Sequence, residues 1–234
     1  MRKSTILFDL GGTLADYYTM SEFPSILEQA TREVQVYLDG KNLLRVAPDL
    51  IATRVREEDH ESADYRSRPL EERLARIFGF ETSPATGDIL AEMCGQFMGP
   101  IFARGKLYDD TIPSLEELRS SGFRIAIVSN TSWGSPANLW RAEIRRLGLN
   151  VHVDFVVLDR DVGWRKPSKR IFEFTVEKLG VGTGECLFVG DEPKWDLIGP
   201  RAVGMESILI DRRGTMVGGE EQPIRTLHEL ALRL

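Results

Sequence analysis

The chain has 234 residues, room for one large domain or for a domain carrying an insertion. Apolar residues make up 42%, enough for a sizeable core, and no run approaches the ~20 apolar residues of a membrane span. A formal net charge of −6 argues against nucleic acid or an anionic membrane as the main partner.

The apolar run between Lys3 and Asp9 is too brief for a signal peptide, so the expected compartment is the cytoplasm. The two cysteines, Cys94 and Cys186, share no CxxC spacing and read as reduced thiols. His60, His152 and His228 show no metal-ligand spacing.

Five short runs rich in β-branched and aromatic residues succeed one another: Ile6–Phe8, Ile125–Val128, Phe155–Leu158, Leu187–Val189 and Ile208–Ile210. Runs of this kind fit strands buried on both faces, as in a parallel sheet. Helical signals lie between them. Pro113 opens SLEELRSS and Gly122 closes it; Ser135-Pro136 opens ANLWRAEIRRL and Gly148 closes it; Ser168 opens KRIFEFTVEKL and Gly180 closes it. Proline at the start and glycine past the end is the asymmetry of helix ends. The alternation predicts an α/β, Rossmann-like, doubly wound parallel sheet.

Between the first strand and the first of these helices lies a long stretch without strand-like runs. It reads as four helices: PSILEQATREVQVYL, PDLIATRVREEDHESADY, PLEERLARIFG and GDILAEMCGQFM. Residues 17–103 hold 9 Lys/Arg against 15 Asp/Glu, whereas the remainder holds 21 of each, so the two parts differ in character. The expected organisation is an α/β core of residues 1–16 and 104–234 with a helical insert over 17–103.

In a parallel sheet, ligands gather beyond the carboxyl ends of the strands. Asp9 ends the first run, Ser129-Asn130 the second and Gly190-Asp191 the fourth; Asp159 and Asp161 come after the third, just before Lys166. Two neighbouring carboxylates need a cation, and an oxygen-only site with few ligands suits Mg²⁺. A carboxylate is also a nucleophile in enzymes that form an aspartyl-phosphate. A serine hydroxyl, an amide and a lysine offset charge on a transferring phosphoryl group, and glycines let backbone approach it.

These residues resemble the haloacid dehalogenase (HAD) superfamily, in the subgroup with a helical cap inserted after the first strand. The resemblance rests on ILFDLGGTL at 6–14, IAIVSN at 125–130, VGWRKPSKRIF at 162–172 and CLFVGDEPKWDLIGPRAVGM at 186–205. It implies a Mg²⁺-dependent phosphohydrolase acting on a small phosphorylated metabolite, as a monomer or homodimer. It implies Asp9 as nucleophile, with Asp9, the Gly11 carbonyl and Asp191 binding Mg²⁺ and Asp196 supporting the metal. Thr13, Ser129 and Asn130 would hold phosphoryl oxygens, and Lys166 would neutralise nucleophile and phosphate.

One position departs from the family's pattern. Most phosphatases of this superfamily carry a second Asp two residues after the nucleophile, where it protonates the leaving group; here that residue is Gly11. General acid–base catalysis contributes roughly 10²–10⁴-fold. Its loss penalises alkyl esters most, so substrates with good leaving groups (acyl phosphates, anhydrides, aryl phosphates) are expected to fare better. Three alternatives arise from the same gap. Phosphonatase-like relatives have a small residue here and use a cap lysine, for which Lys41 is the candidate. Dehalogenases share the nucleophile but need no metal, which Asp191 and Asp196 argue against. A non-catalytic phosphate-binding relative is the third.

Overall fold

The computed structural model describes residues 3–58, 63–216 and 222–233; His60 lies outside these. In chain order the strands are β1 (Thr5–Phe8), β2 (Ala15–Asp16), β3 (Lys106–Leu107), β4 (Arg124–Ser129), β5 (Phe155–Leu158), β6 (Cys186–Gly190) and β7 (Glu206–Leu209). The helices are α1 (Phe23–Gly40), α2 (Pro48–Glu57), α3 (Leu70–Phe78), α4 (Gly87–Phe102), α5 (Thr111–Ser120), α6 (Ala137–Arg146), α7 (Asp159–Val162), α8 (Lys169–Leu179), α9 (Pro193–Asp196), α10 (Ile198–Arg201) and α11 (His228–Ala231).

The main sheet is parallel and ordered β5-β4-β1-β6-β7, which puts the first strand in the centre. Every residue of β1 is buried, because helices cover both faces. Ile6 and Phe8 join a cluster with Leu115 and Leu118 of α5 and Ile144 of α6. Leu7, whose side chain points the opposite way, joins Ile171 and Phe172 of α8. Each such side chain contributes about 1.5–3 kcal/mol by leaving water. The five expected strands are thus all present: β5 matches its expected bounds, β1, β4 and β6 are extended by a residue or two, and the last begins at Glu206 and stops at Leu209.

The stretch after β1 is helical, as expected. Ile26, Ala30, Val34 and Leu38 recur every fourth residue on α1 and are buried in the same cluster as Met93, Phe97 and Ile101 of α4. Two helices differ in extent from the sequence reading. Helix α2 ends at Glu57, where Glu58 turns extended at φ −68°, ψ 123°. Helix α4 runs past the expected stop at Gly99-Pro100. The proline loses one ladder hydrogen bond, but Phe97, Met98 and Ile101 around it are buried, and packing outweighs that loss.

The chain leaves and re-enters the core side by side, because β2 pairs antiparallel with β3 through Ala15–Leu107 and Asp16–Lys106. The helical stretch also reaches down to the carboxyl edge of the sheet. Ser67 donates its hydroxyl to Asp159 Oδ2 at 2.6 Å and its N–H to the Gly163 carbonyl at 3.0 Å. Arg160 pairs with Glu71 at 3.1 Å. No helix among the described residues is long and apolar enough to cross a membrane.

Candidate active site

The ends of β1, β4 and β6 and the loop after β5 converge at one edge of the sheet. Lys166 is at its centre. Its ammonium donates to Asp9 Oδ1 and to Asp196 Oδ1, each at 2.7 Å, and its side chain is only 1% exposed. Asp9, Asp191 and Asp196 offer carboxylate oxygens that all lie within 4.8 Å of one another. The first-strand acid, the lysine and the two acids of the last motif, far apart in sequence, are therefore one constellation.

The electrostatics arise from burial. Desolvation pushes Asp191 well above the usual carboxylate range, and the charges of Asp9 and Asp196 push it further. Asp196 is raised to about 6, again by burial first, against the opposing pull of Lys166. Burial works against the charge of Lys166, but Asp196 and Asp9 outweigh it and hold the ammonium protonated. Three crowded acids and one cation leave an excess of negative charge, and these oxygens fit a divalent cation.

The glycines of the first turn differ in kind. Gly12 has φ +78°, and a Cβ there would fall 2.1 Å from Asp191 Oδ2; only glycine lets that carboxylate lie under the turn. Its close neighbour is thus the second acid. A Cβ on Gly11 would meet nothing nearer than Tyr17 Cδ2 at 3.6 Å, an ordinary contact. Residue 11 has space for a side chain and carries none.

Two expected phosphate ligands are engaged otherwise. Asn130 accepts from the Lys166 N–H at 2.7 Å and donates to the Lys166 carbonyl at 3.2 Å, so both ends of its amide clasp the lysine loop instead of pointing at an anion. The Thr13 hydroxyl donates to Asp191 Oδ1 at 3.4 Å, orienting that acid. Ser129 lines the cavity. Asp16 pairs with Arg213 at 2.9 Å and holds the passage into the helical stretch. Lys41 is exposed at the end of α1, 5.8 Å from the Tyr37 ring, and is not among the residues lining the cavity. Its position removes the basis for a Schiff-base lysine.

Above Asp9 opens a cavity of about 580 Å³. Its floor is the carboxyl edge, including Asp9, Ser129, Lys166 and Asp191. Its walls include Tyr17, Tyr18, Phe23, Trp133 and Trp195, with Arg66 and Arg68 from the helical stretch. For Trp133, Trp140, Trp164 and Trp195, sequence alone favours packing as the simpler expectation. Trp133, Trp140 and Trp195 line the cavity, while Trp164 sits under Arg66 and Arg170 at 4.6 and 4.1 Å. A wall that the sequence does not suggest runs from Ile210 to Met216. It is shaped by Asp211, whose carboxylate accepts from the N–H groups of Arg213, Thr215 and Met216. The acid just after the last strand is its only signal.

The family model described as haloacid dehalogenase-like hydrolase matches residues 3–204. The chain is 33% identical over 129 residues to a ribulose-1,5-bisphosphate 5-phosphatase of Halopiger xanaduensis, covering 55% of this chain and 52% of that one. It is 30% identical over 118 residues to an (S)-2-haloacid dehalogenase of Burkholderia cepacia, covering 50% and 49%. It spans about half the length of the curated relatives it matches. A HAD phosphatase of Thermococcus onnurineus superposes with a TM-score of 0.65 at 27% identity, over 98% of this chain and 97% of that one. The chain therefore belongs to the haloacid dehalogenase-like hydrolase family.

Proposed function

We propose that the protein is a Mg²⁺-dependent phosphohydrolase acting on a small phosphorylated substrate, with Asp9 as the nucleophile. The observation that carries this reading is the buried Lys166 bridging Asp9 and Asp196, with Asp191 beside them under an open cavity. Phosphatases among the similar proteins support it.

Each residue has a role in that reaction. The Lys166 ammonium holds one Asp9 oxygen and leaves the other to attack phosphorus. Ser129 and Lys166 offset charge on the phosphoryl oxygens. Asn130 positions Lys166, and Thr13 positions Asp191. Asp9, Asp191 and the Gly11 carbonyl would hold Mg²⁺, with Asp196 supporting it from behind. When bound, the metal supplies positive charge against the phosphoryl oxygens and relieves the repulsion among the acids. In this reading residues 1–16 and 104–234 are the catalytic core, and residues 17–103 are a cap that encloses substrate.

Gly11 sets the preference. Without an acid at that position the leaving group departs as an anion, so acyl, anhydride and aryl phosphates should outpace alkyl esters. Phosphate release measured with and without Mg²⁺ on acetyl phosphate and on glycerol phosphate tests this. Turnover of acetyl phosphate that needs Mg²⁺ is the expected result. Glycerol phosphate turned over faster would overturn the preference. Undiminished phosphate release in EDTA would overturn the Mg²⁺ requirement.

A further inference from the structure

We propose that the leaving group is aromatic: the substrate is an aryl phosphate monoester whose ring lies against Trp133, Tyr18 and Phe23 while its phosphoryl group faces Asp9. The proposal rests on the phosphohydrolase reading and specifies its substrate class.

Three observations lead there. The first is what stands beside Gly11. The nearest atom to a Cβ at that position belongs to the Tyr17 ring, and the Tyr17 hydroxyl is drawn aside to Glu143 Oε1 at 3.3 Å. Glu143 is itself held by Arg146 at 2.6 Å. A ring edge thus borders the open space of the missing acid, and the nearby hydroxyl is committed elsewhere.

The second is the backbone of Trp133. Its φ is +55°, a left-handed conformation that is rare for a bulky residue and costs about 1–3 kcal/mol. The next residue, Gly134, is also left-handed, at φ +68°, and a Cβ there would fall 1.8 Å from the Arg68 carbonyl oxygen. This turn follows Ser129-Asn130 across Thr131 and Ser132 and brings the indole to the cavity wall. The ring is held between Phe97, stacked at 5.3 Å and 26°, and the Arg73 guanidinium 5.5 Å from its centre, so only 8% of the residue, a margin of the indole, faces the cavity. Tyr18 is braced in the same way, by Phe23 at 5.5 Å and by a 3.1 Å hydrogen bond to Ser132. A strained, rigidly backed aromatic wall beside a reactive carboxylate is a platform for a flat apolar group.

The third is size. A cavity of about 580 Å³ lies in the range of roughly 300–1,000 Å³ that holds drug-sized ligands, well beyond what a phosphoryl group needs.

The chemistry balances without a general acid. An Asp9 oxygen attacks phosphorus, the bond from phosphorus to the aryl oxygen breaks, and its electron pair leaves as phenolate. A phenol such as tyrosine has pKa ~10, against ~15.7 for water, so the phenolate departs without a proton. Water then attacks the aspartyl-phosphate, releasing inorganic phosphate and restoring Asp9, and the proton it gives up reaches the phenolate through solvent. The sum is aryl phosphate plus water giving phenol plus phosphate.

The test separates the ring from its leaving-group acidity. With Mg²⁺ present, kcat/KM is compared for phenyl phosphate and for a fluoroalkyl phosphate whose alcohol is as acidic as phenol. An advantage of at least ~10-fold for phenyl phosphate is expected, equal to about 1.4 kcal/mol. Parity would overturn the aromatic assignment while leaving the phosphohydrolase reading intact. Hydrolysis of neither compound, nor of acetyl phosphate, would overturn both. Trp133→Leu should shrink the phenyl advantage, with Trp133→Phe retaining more of it; an unchanged ratio in a folded Leu variant would remove Trp133 from the site.

Discussion

The floor and the walls of the cavity are built on opposite principles. The floor is dense with charge: Lys166, Asp9, Asp191 and Asp196 come from three separate strand ends; short hydrogen bonds lock Lys166 to Asp9 and Asp196, and Asp191 lies beside them. The walls are largely aromatic and are contributed in good part by the stretch between β1 and β3. On the proposed reading the floor would attack and neutralise a phosphoryl group whatever is attached to it. The walls touch only what is attached. If that reading holds, reaction and selectivity are carried by separate residues, and substitutions in the two regions should fail in different ways.

The sharpest break is at the proposed nucleophile. Asp9→Asn should reduce phosphate release by at least ~10³-fold with the circular dichroism spectrum unchanged; a smaller loss would move the nucleophile elsewhere. Next is Lys166→Met. Removing the cation from a buried triad leaves Asp9 and Asp196 facing each other, and the loss should be about 3–5 kcal/mol in urea unfolding. Added Mg²⁺ should recover part of it.

The acids also predict a pH dependence. Burial raises Asp196 to about 6 against an ordinary 3.8, and Asp191 is raised as well. The folded state therefore binds more protons than the unfolded one above pH 3.8, and the stability that protonated Asp196 contributes is lost as pH rises through about 6. Mg²⁺ competes with those protons. Its stabilising shift in melting temperature should be larger at pH 7.5 than at pH 5, by differential scanning fluorimetry. An equal shift would place the ion away from these acids.

The smallest expected effect lies at the seam between floor and walls. Ser67→Ala removes the 2.6 Å hydrogen bond to Asp159, which also holds the Thr131 N–H at 2.7 Å. A loss of about 1–2 kcal/mol in urea unfolding is expected, with KM raised more than kcat is lowered. The reverse split would mean that the seam tunes the chemistry itself.

The floor is legible in the sequence and the walls are not, for a physical reason. A buried parallel strand is a short apolar run, and the polar residue at its end must stand at the sheet's carboxyl edge; Asp9, Ser129 and Asp191 can be read from that alone, whereas Lys166, beyond α7 in the following loop, is marked by the family resemblance. The helical stretch is recognisable by its periodicity, as in Ile26, Ala30, Val34 and Leu38. Which of its side chains face the cavity depends on tertiary docking. Tyr17 turns its hydroxyl to Glu143, 126 residues away, and no local pattern announces that. The same holds for Asn130 and Thr13: their place at the site is readable, but their partners, the Lys166 backbone and Asp191, come only from three dimensions.

The most direct test is the dependence of log kcat/KM on leaving-group pKa, measured with Mg²⁺ over a series of phosphate monoesters for the parent and for Gly11→Asp. The open space at residue 11 should accept the acid. The parent should show a steep negative slope, because the leaving group departs unprotonated, and Gly11→Asp should flatten it by speeding the poor leaving groups most. A flat slope in the parent, or equal effects of the substitution on good and poor leaving groups, would contradict a site working without a general acid.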